Sequence, residues 1–422
     1  MSNVIKFRLS TPGKVILFGE HGVVHNRTAI ATSINKRTYL KFTETENDYI
    51  EFNLPQINLV QKFKVCEMES LLDKGFPIME GKIFCLSGPS EILHDQFIKN
   101  ICEYMEHLNI NPLTVQQTSA IKSILYLLIG LLSTVNMKLK GFTIELSSQI
   151  SIGAGMGSSA SFAVSLAAAI IHYIRCYFKL NYSGSVNISK GVAMPYMLEL
   201  DEHSLDFSKE FMEMINNWAF GVEKIMHGSP SGLDNTVCTF GYLIEMNRKD
   251  KVGDEKFHIV YSTPELRVLM VDTGVSRVTV NLVNKVATLK SNHPQIIEYV
   301  LNAMGETAQK ASNTLQKFNR QSNFKDQLQT FKVLEELVDI NQGLLKTLGV
   351  SHSLLDTICE LSSRFGLHSK LTGAGGGGYA FTLVPPNFDD WKVLLYCDAL
   401  LKEAGLKTID VTLGTHGVRL ES

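Results

Sequence analysis

The stretch "SIGAGMGSSAS", residues 151–161, decides the fold of this chain. Glycine occupies three alternate positions in it, Gly153, Gly155 and Gly157. A P-loop would need a lysine after its last glycine. A dinucleotide-binding loop would need its third glycine one position later and an acidic residue about 20 residues on. Since the stretch has neither pattern, it is either a tight turn between two elements or a phosphate loop of another kind.

The sequence on either side favours the phosphate loop. "FTIELSS", residues 142–148, alternates apolar and polar residues and predicts a strand. "SASFAVSLAAAIIHYI", residues 159–174, is rich in alanine and predicts a buried helix. Because the amide groups at a helix N-terminus attract anions, this order predicts a phosphate site. The hydroxyls of Ser158 and Ser159 would serve a phosphate or Mg²⁺.

The composition is that of a large and nearly neutral protein. The chain has 422 residues, of which 45% are hydrophobic, and this length predicts two domains. Lysine and arginine number 40 and aspartate and glutamate 42, which gives a net charge of −2. This balance argues against a dedicated nucleic-acid binder.

The cysteines and the apolar segments indicate the cellular location. The 7 cysteines form no C-x-x-C pair, which predicts reduced thiols in the cytoplasm and neither a zinc site nor disulfides. The N-terminal sequence "MSNVIKFRLSTPGK" lacks the apolar core of a signal peptide. The most apolar segment, residues 123–137, is shorter than the roughly 18–20 residues that span a bilayer. It therefore predicts a buried helix and no contact with a membrane.

Hydrophobic periodicity predicts an α+β chain, because helical and strand patterns alternate along it. The predicted elements are strands within 4–50, an irregular stretch over 51–120, helices over 116–137, 159–178 and 211–228, strands over 241–246 and 267–274, an exposed loop over 247–256 near a domain boundary, and helices through 280–365.

A second stretch with candidate functional residues is "STPGKVILFGEHGVVHN", residues 10–26. Its Pro-Gly pair predicts a turn that presents Lys14 at the start of a strand. Glu20 and His21 form a polar break within apolar sequence. His21 and His25 are four residues apart, as in some zinc sites, but no H-E-x-x-H pattern is present, so zinc is not predicted.

Two further stretches carry carboxylates and glycines. In "WAFGVEKIMHGSPSGLDNTV", residues 218–237, Glu223 lies near the end of a predicted helix and Asp234 lies in a predicted turn. Two carboxylates in one site suit Mg²⁺ and a base, although each alone is as well explained as a surface residue. "LTGAGGGGYAF", residues 371–381, has five glycines within six positions. Such a run is costly to order and predicts the close approach of a ligand or of another backbone.

In this order, "PGKVILFGEHGVVHN", "GAGMGSSAS" and "LTGAGGGG" resemble the motifs of the GHMP kinases, named for galactokinase, homoserine kinase, mevalonate kinase and phosphomevalonate kinase. The first motif and "HGSPSGLDN", residues 227–235, resemble in particular the members that phosphorylate mevalonate. The resemblance implies the α+β two-domain GHMP kinase fold. This fold has three implied parts in the chain. An ATP-binding domain over 1–258 has a fold like that of ribosomal protein S5, and a ferredoxin-like domain covers 259–404. A tail over 405–422 returns to the first domain.

The resemblance also implies the activity and the nucleotide site. Members of this branch transfer the γ-phosphoryl group of ATP to the C5 hydroxyl of mevalonate, which gives 5-phosphomevalonate in isoprenoid and sterol precursor synthesis. Gln56 stands where close relatives carry asparagine. The implied ATP contacts are Lys14, Gln56, Ser148, Gly153, Ala154, Gly155, Met156, Gly157, Ser158 and Ser159.

At the reacting centre, the resemblance implies that Asp234 takes the proton of the hydroxyl. Lys14 would keep Asp234 ionised and stabilise the transferring phosphoryl group. Ser159 and Glu223 are the implied ligands of Mg²⁺. The implied contacts to mevalonate are Glu20, His21, Thr273 and Arg277.

The same resemblance implies a homodimer and feedback inhibition by farnesyl-type diphosphates. Two other interpretations remain open. One is another GHMP kinase, such as a phosphomevalonate kinase or a sugar kinase. The other is a non-catalytic sensor that descends from such a kinase. A sensor would be expected to have lost Asp234, Lys14 or the Mg²⁺ ligands, and all of them are present.

Overall fold

The computed structural model of the chain describes residues 4–80, 87–112, 114–135, 137–153, 155–181, 205–228, 230–246, 257–260, 264–276 and 279–422. Its strands there are β1 (Lys6–Phe18), β2 (Ala29–Glu44), β3 (Tyr49–Leu54), β4 (Leu59–Lys64), β5 (Phe142–Ser148), β6 (Leu243–Met246), β7 (Phe257–Val260), β8 (Arg267–Asp272), β9 (His368–Leu371), β10 (Tyr379–Leu383), β11 (Lys407–Thr412) and β12 (Arg419–Glu421). Its helices there are α1 (Val65–Lys74), α2 (His94–His107), α3 (Val115–Leu132), α4 (Ser158–Asn181), α5 (Lys209–His227), α6 (Leu233–Phe240), α7 (Thr279–Asn292), α8 (Pro294–Arg320), α9 (Phe324–Thr347), α10 (Ser353–Arg364) and α11 (Asp390–Ala404).

The first sheet has eight strands. Six follow the order β12-β1-β2-β5-β3-β4, while β6 pairs with β2 and β7 pairs with β6. β5 alternates buried Phe142, Ile144 and Leu146 with more exposed residues, as its sequence pattern predicts. These side chains join a core formed with α3, α4 and α5. The sheet therefore has a helical layer that carries the glycine loop at one end, between β5 and α4.

Two helices, α3 and α4, are long and apolar enough to cross a membrane by length and composition. The structure buries 72% and 83% of their apolar windows inside the protein. They are core helices, as the sequence predicts for the apolar segment 123–137. The α3 helix ends at Leu132 with Ser133 at its C-cap, five residues before the end that the sequence pattern predicts.

The second sheet has four strands in the order β11-β8-β10-β9, all antiparallel. Along the chain, β8 is the first of these strands, β9 the second, β10 the third and β11 the fourth. The helices α7–α10 lie between β8 and β9, and α11 lies between β10 and β11. This is the ferredoxin-like arrangement. The prediction of an α+β chain with a ferredoxin-like second part is confirmed.

The two sheets meet across a shared apolar core. Val15 of β1 and Ile34 of β2 belong to the same buried cluster as Met270 of β8 and Phe381 of β10. Met156 of the glycine loop is buried in this cluster too. The glycine loop is therefore anchored where the two sheets come together.

The C-terminal residues return to both sheets. β11 pairs with β8, and β12 pairs with β1. Arg37 on β2 is buried, and its guanidinium donates to the carbonyl oxygens of His416 at 2.8 Å and of Gly417 at 2.6 Å. The domain boundaries at 258 and 404 stay predictions, and the predicted loop over 247–256 lies outside the described residues.

Three local predictions are wrong. The described residues of 51–120 are not an irregular stretch, because they form β3, β4, α1, α2 and the start of α3. Apolar residues such as Phe97, Ile101 and Met105 of α2 pack inward at helical spacing. Lys14 does not follow a turn, since β1 continues through Pro12 and Gly13 with only a shift of register against β2. Asp234 lies in the first turn of α6 rather than in a turn between elements.

Candidate active site

The glycine loop is held against β1 by contacts that only glycine permits. Gly153, Gly155 and Gly157 all adopt left-handed backbone angles, with φ of 75°, 76° and 78°. A Cβ atom on Gly157 would lie 2.7 Å from Cγ of Lys14. The amide of Lys14 donates to the carbonyl oxygen of Met156 at 2.9 Å. Ala154 lies outside the described residues.

An ion pair lies beside this loop. Nζ of Lys14 is 2.8 Å from Oδ2 of Asp234, and the Lys14 side chain is only 6% exposed, against 35% for Asp234. Asp234 lies in the first turn of α6, where the helix dipole favours a negative charge. The structure therefore brings together Lys14 and Asp234, which the resemblance implies as partners.

Glu223 is a buried carboxyl group close to the same ion pair. It lies on α5 with 2% exposure, and its Oε1 atom has no hydrogen-bond partner among the described residues. Burial and the neighbouring Asp234 carboxylate raise the pKa of Glu223 to about 8. A carboxyl group in this environment gains from a nearby cation, which would displace its proton.

Ser159 and His227 complete this group. Oγ of Ser159 is 2.9 Å from Nε2 of His227, which in turn is 3.8 Å from Oε2 of Glu223. Burial lowers the pKa of His227, so its ring is neutral at neutral pH. The described residues hold no cluster of three His, Cys, Asp or Glu that suits a transition metal. The hydroxyl of Ser159 and the unpartnered Glu223 oxygen do fit Mg²⁺, which takes few protein oxygens and keeps several waters.

A cavity of about 250 Å³ opens next to Ser159, and we refer to it as the nucleotide cavity. Four residues predicted from the sequence line it together: Gln56, Ser148, Ser158 and Ser159. Nε2 of Gln56 donates to the carbonyl oxygen of Ser148 at 2.7 Å. Much of the remaining wall is apolar, with Leu54, Ile57, Ala120, Leu146, Phe162 and Met226. An apolar slot with a polar edge and a glycine loop at its end suits a purine nucleotide.

Glu20 and His21 bridge the two halves of the molecule. Glu20 forms a buried ion pair with Lys370 of β9 and accepts from Nδ2 of Asn341 at 2.9 Å. Nε2 of His21 donates to the carbonyl oxygen of Ala374 at 2.9 Å. Glu20 therefore faces a buried partner in this structure, and its contact with a substrate stays a prediction.

Thr273 holds the second glycine run in place. Its hydroxyl and its amide both donate to the carbonyl oxygen of Gly378, at 2.7 and 3.0 Å. A Cβ atom on Gly375 would lie 2.1 Å from the carbonyl oxygen of Val350, so this run packs against another backbone. Arg277, the other predicted contact on this side, lies outside the described residues.

Sequence reasoning missed three residues of this region: His227, Lys370 and Asn341. His227 directly precedes Gly228 in "HGSPSGLDN", so its place in a motif could have marked it. Lys370 is the next-to-last residue of the short strand β9 and lies directly before "LTGAGGGG". Asn341 gives no comparable signal, because its position on α9 is 321 residues from its partner Glu20.

Comparison of the sequence with known proteins shows the family to which this chain is similar. Residues 120–185 match the N-terminal domain of the GHMP kinases, and residues 323–390 match their C-terminal domain. Human mevalonate kinase is 31% identical over 414 residues, which cover 98% of this chain and 94% of that protein. Gibberella zeae mevalonate kinase is 34% identical over 418 residues, which cover 98% of this chain and 76% of that protein.

Solved structures show the same fold. The crystal structure of L. major mevalonate kinase in complex with R-mevalonate superposes with a TM-score of 0.63 at 22% identity. The match covers 99% of this chain and 100% of that one.

Proposed function

Because this chain belongs to the mevalonate kinases of the GHMP kinase family, we propose that it transfers the γ-phosphoryl group of ATP to the C5 hydroxyl of mevalonate. The products are 5-phosphomevalonate and ADP. The observation that carries the proposal is the contact of Lys14 with Asp234 beside the glycine loop and the nucleotide cavity. A base, a cation and a phosphate loop at one place are the parts that phosphoryl transfer needs.

In the proposed reaction, the C5 oxygen forms a bond to the γ-phosphorus while the bond from that phosphorus to the bridging oxygen of ADP breaks. Asp234 accepts the proton of the hydroxyl. Lys14, 2.8 Å from Asp234, offsets the negative charge that builds up on the transferring group. Since the transition state is loose, the proton moves late and positioning supplies much of the rate.

The glycine loop and the nucleotide cavity would hold ATP. The loop residues 155–159 would offer backbone amides to the phosphates at the N-terminus of α4. Gln56 and Ser148 lie at the polar edge of the cavity and would contact the nucleoside. The Ser159 hydroxyl and the Glu223 carboxylate would hold Mg²⁺, which neutralises phosphate charge when bound.

On the acceptor side, we assign Glu20, His21, Thr273 and Arg277 to the mevalonate pocket. The support is that His21 and Thr273 both donate to carbonyl oxygens of the second glycine run, those of Ala374 and Gly378. The enzyme is proposed to act in the cytoplasm as a homodimer under feedback inhibition by farnesyl-type diphosphates. The six cysteines that the structure describes are free thiols, as such a location requires.

The test is a comparison of kcat/KM for mevalonate, phosphomevalonate, homoserine and galactose at saturating Mg-ATP. Mevalonate should be preferred over phosphomevalonate by at least ~10³, because a second phosphate at C5 would meet Asp234 and the γ-phosphoryl group at short range. Lys14 already pairs with Asp234 and cannot absorb that charge. Comparable values for the two substrates would overturn the substrate assignment and leave the family unchanged.

A further inference from the structure

His227 lies at the edge of the nucleotide cavity, close to both residues that are proposed to hold Mg²⁺. It is the last residue of α5, and Gly228, with a φ of 73°, ends the helix directly after it. Glu223 lies four residues earlier on α5, so the two side chains share one face of the helix. Ser159 reaches this face from the first turn of α4.

The hydroxyl group of Ser159 has two possible acceptors at this place. Its Oγ atom is 2.9 Å from Nε2 of His227. The hydroxyl also bonds to the Glu223 carboxyl group, and this bond opposes the rise in the pKa of Glu223 that burial causes. Nε2 of His227 and Oε2 of Glu223 are 3.8 Å apart, which is too long for a hydrogen bond. The single proton of Ser159 can therefore point to either neighbour.

A cation bound between Ser159 and Glu223 would decide between these two acceptors. A serine hydroxyl has one proton and two lone pairs, and a hydroxyl that binds a metal must turn a lone pair toward it. A proton directed at Glu223 would then point at the cation that both oxygens share, which like charges disfavour. The remaining acceptor is Nε2 of His227, because a neutral imidazole ring has one nitrogen that accepts.

We propose that His227 is a positioning residue, which accepts the hydroxyl proton of Ser159 and so turns a lone pair of that oxygen toward the cation. The inference rests on the Mg²⁺ ligands of the proposed function. In this arrangement the ring carries its own proton on Nδ1. Residues that orient a metal ligand in this way are worth about 10–100-fold in metal affinity.

A direct contact of His227 with the nucleotide is the rival explanation, because its ring also lines the nucleotide cavity. The two roles differ in what they require. A contact with the nucleotide would strengthen ADP binding even when no metal is present. A role through Ser159 would appear only with the metal present and only while residue 159 carries a hydroxyl group.

The probe for the test is Mn²⁺, which takes the place of Mg²⁺ and can be followed by electron paramagnetic resonance. It is titrated into the full chain, which is kept in excess over ADP so that the ADP is bound. His227→Leu should weaken Mn²⁺ binding by roughly tenfold. His227→Gln should stay near the wild-type affinity, because its carbonyl oxygen also accepts a hydrogen bond. Since the His227 side chain is 53% exposed, neither change should disturb folding.

A double-mutant cycle tests whether His227 acts through Ser159. Ser159→Ala should weaken Mn²⁺ binding, and His227→Leu added to it should cause no further loss. Calorimetric titration with ADP in EDTA should give the same affinity for the wild type and for His227→Leu. The matched control is His107→Leu, since His107 is likewise the exposed last residue of its helix, α2, and it should bind Mn²⁺ as the wild type does.

Equal Mn²⁺ affinities of the wild type and His227→Leu would overturn the proposal and leave the proposed function intact. A further loss in the Ser159→Ala background would overturn it as well, and so would a His227→Gln variant as weak as His227→Leu. A lower ADP affinity of His227→Leu in EDTA would assign the ring to the nucleotide instead. A wild-type chain that binds no Mn²⁺ together with ADP would remove the proposed metal site along with this role of His227.

Discussion

Replacement of Lys370 by methionine should lower the free energy of unfolding by about 3–5 kcal/mol, the usual cost of leaving one member of a buried ion pair alone. The side chains of Lys370 and Glu20 both have 0% exposure. Methionine occupies a volume close to that of the lysine stem, so the lost charge and not a void should dominate. In the variant, the Glu20 carboxylate would keep the hydrogen bond from Asn341, at 2.9 Å, but would lose its counter-charge.

A double variant separates the charge from the packing. In Glu20→Gln/Lys370→Met, the position opposite Asn341 is neutral and can still accept its hydrogen bond. The double variant should therefore lie within about 2 kcal/mol of the wild-type protein, although each change alone is damaging. The control is Lys402→Met, which breaks the exposed pair of Lys402 with Asp398 on α11 and should cost less than about 1 kcal/mol.

The measurement is urea unfolding, read by circular dichroism. The slope of the free energy of unfolding against urea concentration is compared between variants, because a change in midpoint reports a change in stability when this slope is the same. A loss for Lys370→Met no larger than that of the Lys402→Met control would refute the reasoning. A double variant no more stable than Lys370→Met would refute it as well. In either case, the stabilising effect of the contact between Glu20 and Lys370 would not depend on charge.

The remaining predictions concern the reaction and one surface pair. Asp234→Asn should lower kcat by at least ~10²-fold with a modest change in KM, and a near-normal kcat would remove Asp234 as the base. Ser159→Ala should raise the Mg²⁺ concentration needed for half-maximal rate, whereas an unchanged Mg²⁺ curve would remove it as a ligand. Gln56→Asn should change the KM for ATP and leave that for mevalonate nearly fixed, and steady-state kinetics with each substrate varied would show no change if Gln56 faced solvent. The hydrogen bond to Asp339 raises the pKa of His368, so this pair stabilises the fold below the ordinary histidine pKa of about 6.5 and the effect fades as pH rises through the raised value. Asp339→Asn should therefore lower the free energy of unfolding in mild acid and not in alkali. The loss should be less than about 1 kcal/mol because both side chains are partly exposed, and a loss independent of pH in urea unfolding would contradict this.

The parts of the site that could be predicted from the sequence are those built from local patterns. The glycine loop between β5 and α4 follows from the alternation of Phe142, Ile144 and Leu146 and from the alanine-rich helix after it. The pairing of Lys14 with Asp234 was implied by the resemblance of both motifs to one family, and the structure places them in contact.

The parts that could not be predicted depend on residues far apart in the chain. The Pro12-Gly13 pair is typical of a turn, and the sequence does not show that β2 pairs with the residues before and after it. The buried ion pair of Glu20 could not be predicted, because nothing local reveals its partner Lys370, 350 residues away.

The position of Arg37 has a consequence for the order of folding during synthesis. Its guanidinium bonds to carbonyl groups 379 and 380 residues further along the chain. At a synthesis rate of roughly 5–20 residues per second, the ribosome delivers those partners on the order of tens of seconds after Arg37 itself. During that time β1 also lacks β12 at its edge. The first sheet would therefore reach its final form only after release of the C-terminal residues, and a stalled nascent chain would expose the edge of β1 to chaperones.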